Sequence, residues 1–294
     1  MNILITGGTG FVGSAWIPQL LMANHRVLLL TRKQQSSGLN PNVIPVIWDG
    51  KKIPVNEPVD VVVNLAGAPL ADHRWTTSYK EDIVQSRINA TLACVEYLSQ
   101  YKNSQTVFLS ASAVGYYGTK QTHVLEETAD PGNDFLANIA IQWERTAKQA
   151  LVRTVLLRFG VILSKHGGVF PKILAPFKMY AGGQIGSGKQ GFPWVHIQDA
   201  LAIIEFCIQN KSISGAVNVV APEIITNKLF SEQLAKAMNR PNAISVPEFM
   251  VELALGEASM LVTEGQFVSP KILQDHHFSF SFPTLESALK ELLT

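Results

Sequence analysis

Short apolar runs alternate with amphipathic stretches through the first half of the chain. Asn2–Thr6, Arg26–Thr31, Val43–Ile47, Val59–Asn64, Thr106–Ser110 and Arg153–Phe159 are strand-length apolar segments. Phe11–Ala23, Thr76–Tyr101 and Phe135–Ala150 lie among them and carry apolar residues at helical spacing. Strands that are apolar throughout, rather than at alternate positions, predict a parallel sheet covered on both faces. Alternating strands and helices predict an α/β, doubly wound sheet with right-handed crossovers.

The pattern changes after Gly160. Gly167-Gly168 and G-G-Q-I-G-S-G-K-Q-G (Gly182–Gly191) predict loops that bend close to another part of the molecule. Gln198–Ile208 reads as a helix and Ala216–Val220 as a strand able to join the sheet. Asn227–Met238, Glu248–Leu255 and Leu285–Leu293 read as helices outside it. The expected division is a core of residues 1–165, rejoined by 195–221, and a smaller C-terminal substrate lobe of 166–194 and 222–294.

Composition narrows the function. The 294 residues are 47% hydrophobic, with a net charge of +1 and no basic stripe, which argues against nucleic acid or a charged membrane surface as partner. No window approaches the roughly 20 apolar residues of a transmembrane helix. The N-terminus enters a strand pattern without a signal-peptide profile, so a cytoplasmic protein is expected. Cys94 and Cys207 sit in helical patterns and read as buried small hydrophobes in a reducing compartment. The histidines show no ligand spacing, so no metal is expected.

The candidate chemistry begins in T-G-G-T-G-F-V-G, Thr6–Gly13. Gly7, Gly10 and Gly13 follow a strand and open a helix, with Thr9, Phe11 and Val12 between them. This context lets a pyrophosphate approach the backbone N–H groups at a helix N-terminus and predicts a Rossmann-type dinucleotide site. The second strand ends Thr31-Arg32-Lys33, without the carboxylate that would receive an NAD ribose hydroxyl. Arg32 would pair with a 2′-phosphate, so NADP(H) is favoured over NAD(H); the alternative is a solvated basic turn. Asp49 is either at the adenine edge or a turn residue. Asn64-Leu65-Ala66-Gly67 ends the fourth strand with small residues that leave room for cofactor ribose and phosphate.

With L-S-A-S-A-V-G-Y-Y-G (Leu109–Gly118), L-R-F-G (Leu157–Gly160) and W-V-H-I-Q-D-A (Trp194–Ala200) in this order, the chain resembles the extended short-chain dehydrogenase/reductases, the NAD(P)-dependent epimerase/dehydratase group. Arg74–Thr76, Ser86–Thr91, the Gly182–Gly191 loop and the tail from F-V-S-P-K-I-L resemble more narrowly an atypical "epimerase family protein" branch with a short C-terminal domain of unknown function. The resemblance implies a working group of Asn, Ser, Tyr and Lys. Tyr is the general acid/base, and Lys lowers the phenol pKa from its usual ~10. Ser112 matches the Ser. Counting back from Glu144, the Lys position falls on Ala140 and the Tyr position on Leu136; a one-residue slip gives Ile139 and Phe135. The Asn position falls on Arg87. Tyr116 or Tyr117 could replace the missing phenol, and Arg87 the missing positive charge, contacting cofactor or holding a carboxylate or phosphate. The plainer readings are surface packing for the tyrosines, a helix-surface ion pair for Arg87 and a backbone hydrogen bond for Ser112.

On the substrate side, Arg74, Trp75, Gln184, Lys189, Gln190, Trp194 and His196 are candidates, with Gln266 and Lys271 as possible pocket residues. Trp75 could instead be core, His196 structural, and the glycine-rich loop a mobile lid. Arg158 is expected to anchor the sheet end to the Gly182–Gly191 loop, Glu126-Glu127 to be solvated, and Asp199 to be a plain helix N-terminal residue. The expectation is an NADP(H)-binding oxidoreductase acting on a small carbonyl or sugar-like substrate. The rival readings are an NADP(H)-binding regulatory protein without turnover and, below it, a nucleotide-sugar epimerase with bound NAD. A homodimer through helices 76–101 and 135–150 is a possible assembly.

Overall fold

The computed structural model describes residues 1–32, 42–101, 103, 105–242 and 245–294. Its strands are β1 (Asn2–Thr6), β2 (Arg26–Thr31), β3 (Val43–Ile47), β4 (Val61–Asn64), β5 (Val107–Ala113), β6 (Lys120–Leu125), β7 (Arg153–Phe159), β8 (Val161–Leu163), β9 (Trp194–His196), β10 (Gly215–Val219) and β11 (Gly265–Val268). Its helices are α1 (Phe11–Met22), α2 (Thr77–Tyr101), α3 (Phe135–Ala147), α4 (Phe170–Lys178), α5 (Ile197–Gln209), α6 (Asn227–Ala237), α7 (Glu248–Leu255), α8 (Met260–Thr263), α9 (Lys271–Asp275) and α10 (Leu285–Leu292).

Seven strands form one parallel sheet in the order β10-β7-β5-β4-β1-β2-β3. Successive strand residues point to opposite faces. Ile3, Ile5, Val61, Val63, Val107 and Leu109 pack with Trp16 and Leu20 of α1 and with Leu201, Ile203 and Ile204 of α5. Leu4, Val62, Phe108 and Leu156 pack on the other face with Ala90, Ala93, Cys94 and Leu98 of α2 and Ala147 at the end of α3. This is the doubly wound α/β architecture expected from the apolar pattern. Cys94 and Cys207 lie in different layers, and burial pushes the Cys207 thiol up to about 12.

A third apolar cluster forms the smaller C-terminal region. Leu163 and Trp194 from the paired β8 and β9 pack with Phe170, Leu174 and Phe177 of α4, Phe230 and Leu234 of α6, and Leu285 and Leu289 of α10. The last segment is tied to the core by buried polar groups. Asp199 accepts from the backbone N–H of Ser281 (2.8 Å) and Phe282 (2.9 Å). Glu127 accepts from the N–H of Asn218 (3.1 Å) and Ile272 (3.3 Å), and Asn218 Nδ2 donates to the Ser269 carbonyl (2.8 Å). Glu127 is therefore buried rather than solvated, and Asp199 clamps the tail as well as opening α5. Burial raises both carboxyl pKa values, although the backbone donors oppose the shift.

Candidate cofactor and substrate site

The strand order reverses between β1 and β4, and open α/β sheets bind ligands outside the carboxyl ends of their strands at such a point. The loop there is a cradle that side chains would fill. Gly7 has φ +67°, and a Cβ on it would meet the Leu65 carbonyl carbon at 2.5 Å; a Cβ on Gly13 would meet Gly8 Cα at 2.4 Å. Gly10 is the N-cap of α1 and offers no capping side chain, so the first-turn amides of Phe11, Val12 and Gly13 are open to an anion. Thr9 is exposed beside them. Across the loop, Gly167 and Gly168 press on the Phe11 ring, with would-be Cβ contacts of 2.9 and 2.7 Å. These residues fit a dinucleotide pyrophosphate.

Thr31 is buried at the end of β2, and Arg32 follows it, exposed and without an ion pair among the described residues. Lys33 lies outside the described residues. Asp49 is exposed and accepts from the Lys51 N–H (2.9 Å), which is the turn role. At the β1/β4 junction Thr6 Oγ1 donates to Asn64 Oδ1 (2.6 Å), Asn64 Nδ2 to Thr91 Oγ1 (2.8 Å), and Thr91 Oγ1 to the Arg87 carbonyl (2.7 Å). This buried chain of bonds pins α2 to the strand end that carries Leu65, Ala66 and Gly67.

Helix α3 faces β5. Ser112 Oγ donates to Glu144 Oε1 (2.8 Å), which places the stripe 136–140–144 toward Ser112. Gly115 confirms that register: a Cβ there would stand 3.3 Å from Leu136 Cβ. Leu136 and Ala140 thus occupy the positions facing Ser112, while Phe135 stacks edge-on against Trp75. Leu136 and Ile139 border an apolar cluster with Trp75, Ile83 and Ala258, joined by Met260 and Leu261 from the C-terminal region. A hydrophobic plug fills the place where tyrosine and lysine chemistry was expected.

Around Ser112 the polar groups are mutually satisfied. Arg158 forms a bidentate pair with Glu144 (2.8 and 2.9 Å) and donates from Nη1 to Tyr117 Oη (2.9 Å) and the Glu127 carbonyl (3.1 Å). Tyr117 Oη donates onward to Asn218 Oδ1 (2.7 Å), and burial pushes its phenol up to about 12. Arg158 therefore ties the end of β7 to α3, Tyr117 and the Glu127 backbone, and among the described residues it makes none of the expected bonds to the glycine-rich loop. Ser112 gives its proton to Glu144 rather than to the cleft, and the engaged, fully buried Tyr117 is a structural residue. Tyr116 differs: it is half-buried, Arg158 stacks 3.5 Å from its ring centroid, and its hydroxyl has no partner among the described residues.

Arg87 is 8% exposed. Its guanidinium lies against Gly67, where a Cβ would come within 3.1 Å of Cζ, and 5.2 Å from the Trp143 ring centroid. Nη1 donates to the Ile83 carbonyl (2.9 Å), and no carboxylate pairs with it among the described residues. Burial lowers its pKa to about 10. The helix-surface ion pair is thus replaced by a buried, unpaired cation at the end of β4.

The other candidates are placed elsewhere. Arg74 clasps the Leu253 and Ala254 carbonyls at the end of α7, and Trp75 is buried with its indole N–H on the Leu70 carbonyl. Gln184 and Gln190 brace the glycine-rich loop through backbone carbonyls, Gln190 also reaching that of Val262. Lys189 is exposed. Trp194 belongs to the third apolar cluster. His196 is wholly buried, accepts from the Gln198 N–H at Nδ1, meets Glu291 at Nε2 (3.0 Å) and packs on Phe282. Gln266 is buried against Gly191, and Lys271 pairs with Asp275. Trp143, which no sequence signal distinguished from core, borders Arg87. A cavity of about 840 Å³ lined by Asp60, Arg153 and Lys211 opens at the amino ends of β4, β5 and β7, away from the glycine loop.

Fold and loop together define a dinucleotide-binding α/β protein with a cradle for phosphate at its switch point. The chain belongs to the NAD dependent epimerase/dehydratase family, whose model matches residues 3–220; a domain of unknown function, DUF1731, matches residues 246–292. An epimerase family protein of Staphylococcus saprophyticus is 38% identical over 297 residues, covering 99% of each chain. The epimerase family protein YfhF of Bacillus subtilis is 37% identical over 299 residues, covering 100% of this chain and 98% of the other. Human epimerase family protein SDR39U1, solved with NADPH, has a TM-score of 0.89 at 31% identity over 99% of both chains. Among the described residues no helix is long and apolar enough to cross a membrane, and no cluster of His, Cys, Asp or Glu could hold a metal.

Proposed function

We propose that the chain is an NADP(H)-dependent oxidoreductase acting on a small carbonyl substrate, with Tyr116 as its proton donor. The observation that carries the proton assignment is that the Tyr116 hydroxyl has no partner among the described residues, whereas Tyr117 and Ser112 are engaged by Asn218 and Glu144. The first-turn amides of α1 would hold the pyrophosphate, and Arg32 the 2′-phosphate. Bound NADPH would supply hydride. Tyr116 gives its proton to the carbonyl oxygen as that oxygen gains charge, and is reprotonated from solvent. Ser112 acts through Glu144, fixing α3 against β5. The human relative solved with NADPH supports the cofactor reading.

Thermal shift with NADPH and NADH tests the cofactor, and equal stabilisation by both would remove the role of Arg32. A carbonyl screen followed by NADPH absorbance tests turnover. Activity that survives Tyr116→Phe and falls with Tyr117→Phe would refute the proton assignment. Tight NADPH binding without turnover would favour the second reading, an NADP(H)-binding regulatory protein, which the engagement of Ser112 by Glu144 already favours over a conventional relay.

A further inference from the structure

We propose that Arg87 and the indole N–H of Trp143 form an oxyanion subsite, so that the substrate carries a carboxylate or phosphate group near its reacting carbonyl. This rests on the reading of the cleft as a cofactor and substrate site.

Two independent observations point to a missing acceptor. The first is the Arg87 guanidinium, 8% exposed, with one backbone carbonyl and, among the described residues, no carboxylate as partner. Desolvating a cation without a counter-charge is costly, and stacking near Trp143 offsets only part of it. The second is Trp143 Nε1, which is buried without a hydrogen-bond partner among the described residues. Buried donors are normally satisfied, so a buried indole N–H left without a partner beside a guanidinium that lacks a counter-charge calls for an acceptor-rich ligand.

The neighbouring acids do not supply it: Glu144 is taken by Arg158. The cofactor's anions have other places, the 2′-phosphate at Arg32 and the pyrophosphate at the α1 amides. Gly67 leaves the guanidinium room at the end of β4, since any side chain there would crowd its Cζ. Ile83, one turn before Arg87, and Ile139, one turn before Trp143, are both buried in an apolar cluster, which lowers the local dielectric and strengthens an ion pair made there. The planar fork of arginine suits both carboxylate and phosphate.

The test uses the full chain saturated with NADPH, titrated with oxalate in one arm and inorganic phosphate in the other, against chloride at matched ionic strength. The expected result is a saturable rise in Tm with at least one oxyanion. Arg87→Met should weaken that effect about 10- to 100-fold, as expected for losing a charge-assisted hydrogen bond. Trp143→Phe should weaken it less, and both variants should bind NADPH as the parent does. The arm that responds identifies the oxyanion. No oxyanion effect on the NADPH-saturated parent would overturn the subsite alone, whereas failure of NADPH to bind would overturn the cofactor reading. An Arg87→Met chain that loses NADPH binding would assign Arg87 to the cofactor, and one that fails to fold would make it a structural prop; either outcome overturns the proposal.

Discussion

Arg158 and Arg87 are both buried, at 2% and 8% exposure, yet their surroundings are opposite. Arg158 meets a carboxylate at two points, a phenol and a carbonyl. Arg87 meets one carbonyl and an aromatic face. A buried arginine whose donors are satisfied within the chain holds structure together, whereas one left bare is placed for something that arrives later. Neither burial nor residue type separates them; the partner inventory does.

The largest way to break this contrast is Glu144→Ala, which would strip Arg158 of its carboxylate and leave it only Tyr117 and the Glu127 carbonyl as hydrogen-bond partners. Removing one partner of a buried pair should cost about 3–5 kcal/mol, read from the urea midpoint. The double variant Glu144→Ala/Arg158→Met should recover much of that loss, because no charge is then left unpaired. Arg87→Met should move the other way, leaving the ligand-free chain equally stable or more stable by about 1 kcal/mol. A loss as large as that of Glu144→Ala would erase the distinction between the two arginines. Ser112→Ala removes one donor from the satisfied network and should cost about 1 kcal/mol, with NADPH affinity unchanged by calorimetry.

His196 supplies a smaller, pH-dependent contribution. Burial holds its pKa below 6.5, so below that pH the unfolded chain takes up a proton that the folded chain refuses. Stability should fall as pH drops through about 6.5 toward the lower folded value. His196→Asn, which can keep the N-cap, should flatten this part of the Tm–pH curve. The smallest stability effect is expected of Arg32→Glu. It should leave the Tm of the ligand-free chain unchanged and remove the preference for NADPH over NADH.

The central sheet was legible because its strands are continuous apolar runs and its phosphate loop is local. The bounds of β1, β2, β3 and β7 match the expected segments. What escaped has physical reasons. Helix α4 contains Pro171 and Pro176, which read as breakers, and β8 and β9 are only three residues each. Strand β6, K-Q-T-H-V-L, carries no continuous apolar run and finds its partner β11 in the C-terminal region. Strand β5 continues to Ala113 through small residues with no strand signature, which puts Ser112 within a strand. At the site, the departure from Tyr and Lys was visible in Leu136 and Ala140. The plug that fills their place was not, because Ala258, Met260 and Leu261 come from far along the chain. Glu127 looked solvated for the same reason: its donor at Ile272 is 145 residues away.

The clamps at Glu127 and Asp199 also bear on how the chain is made. While it emerges from the ribosome, every sheet strand is available before residues 272–282 have been synthesised. Until they arrive, both carboxylates lack part or all of their backbone N–H partners, and closing the core around them would strand charge. The core around these two carboxylates is therefore expected to close only once residues 272–282 have emerged, and chains stalled before residue 272 should show unprotected amides in α5 by hydrogen exchange.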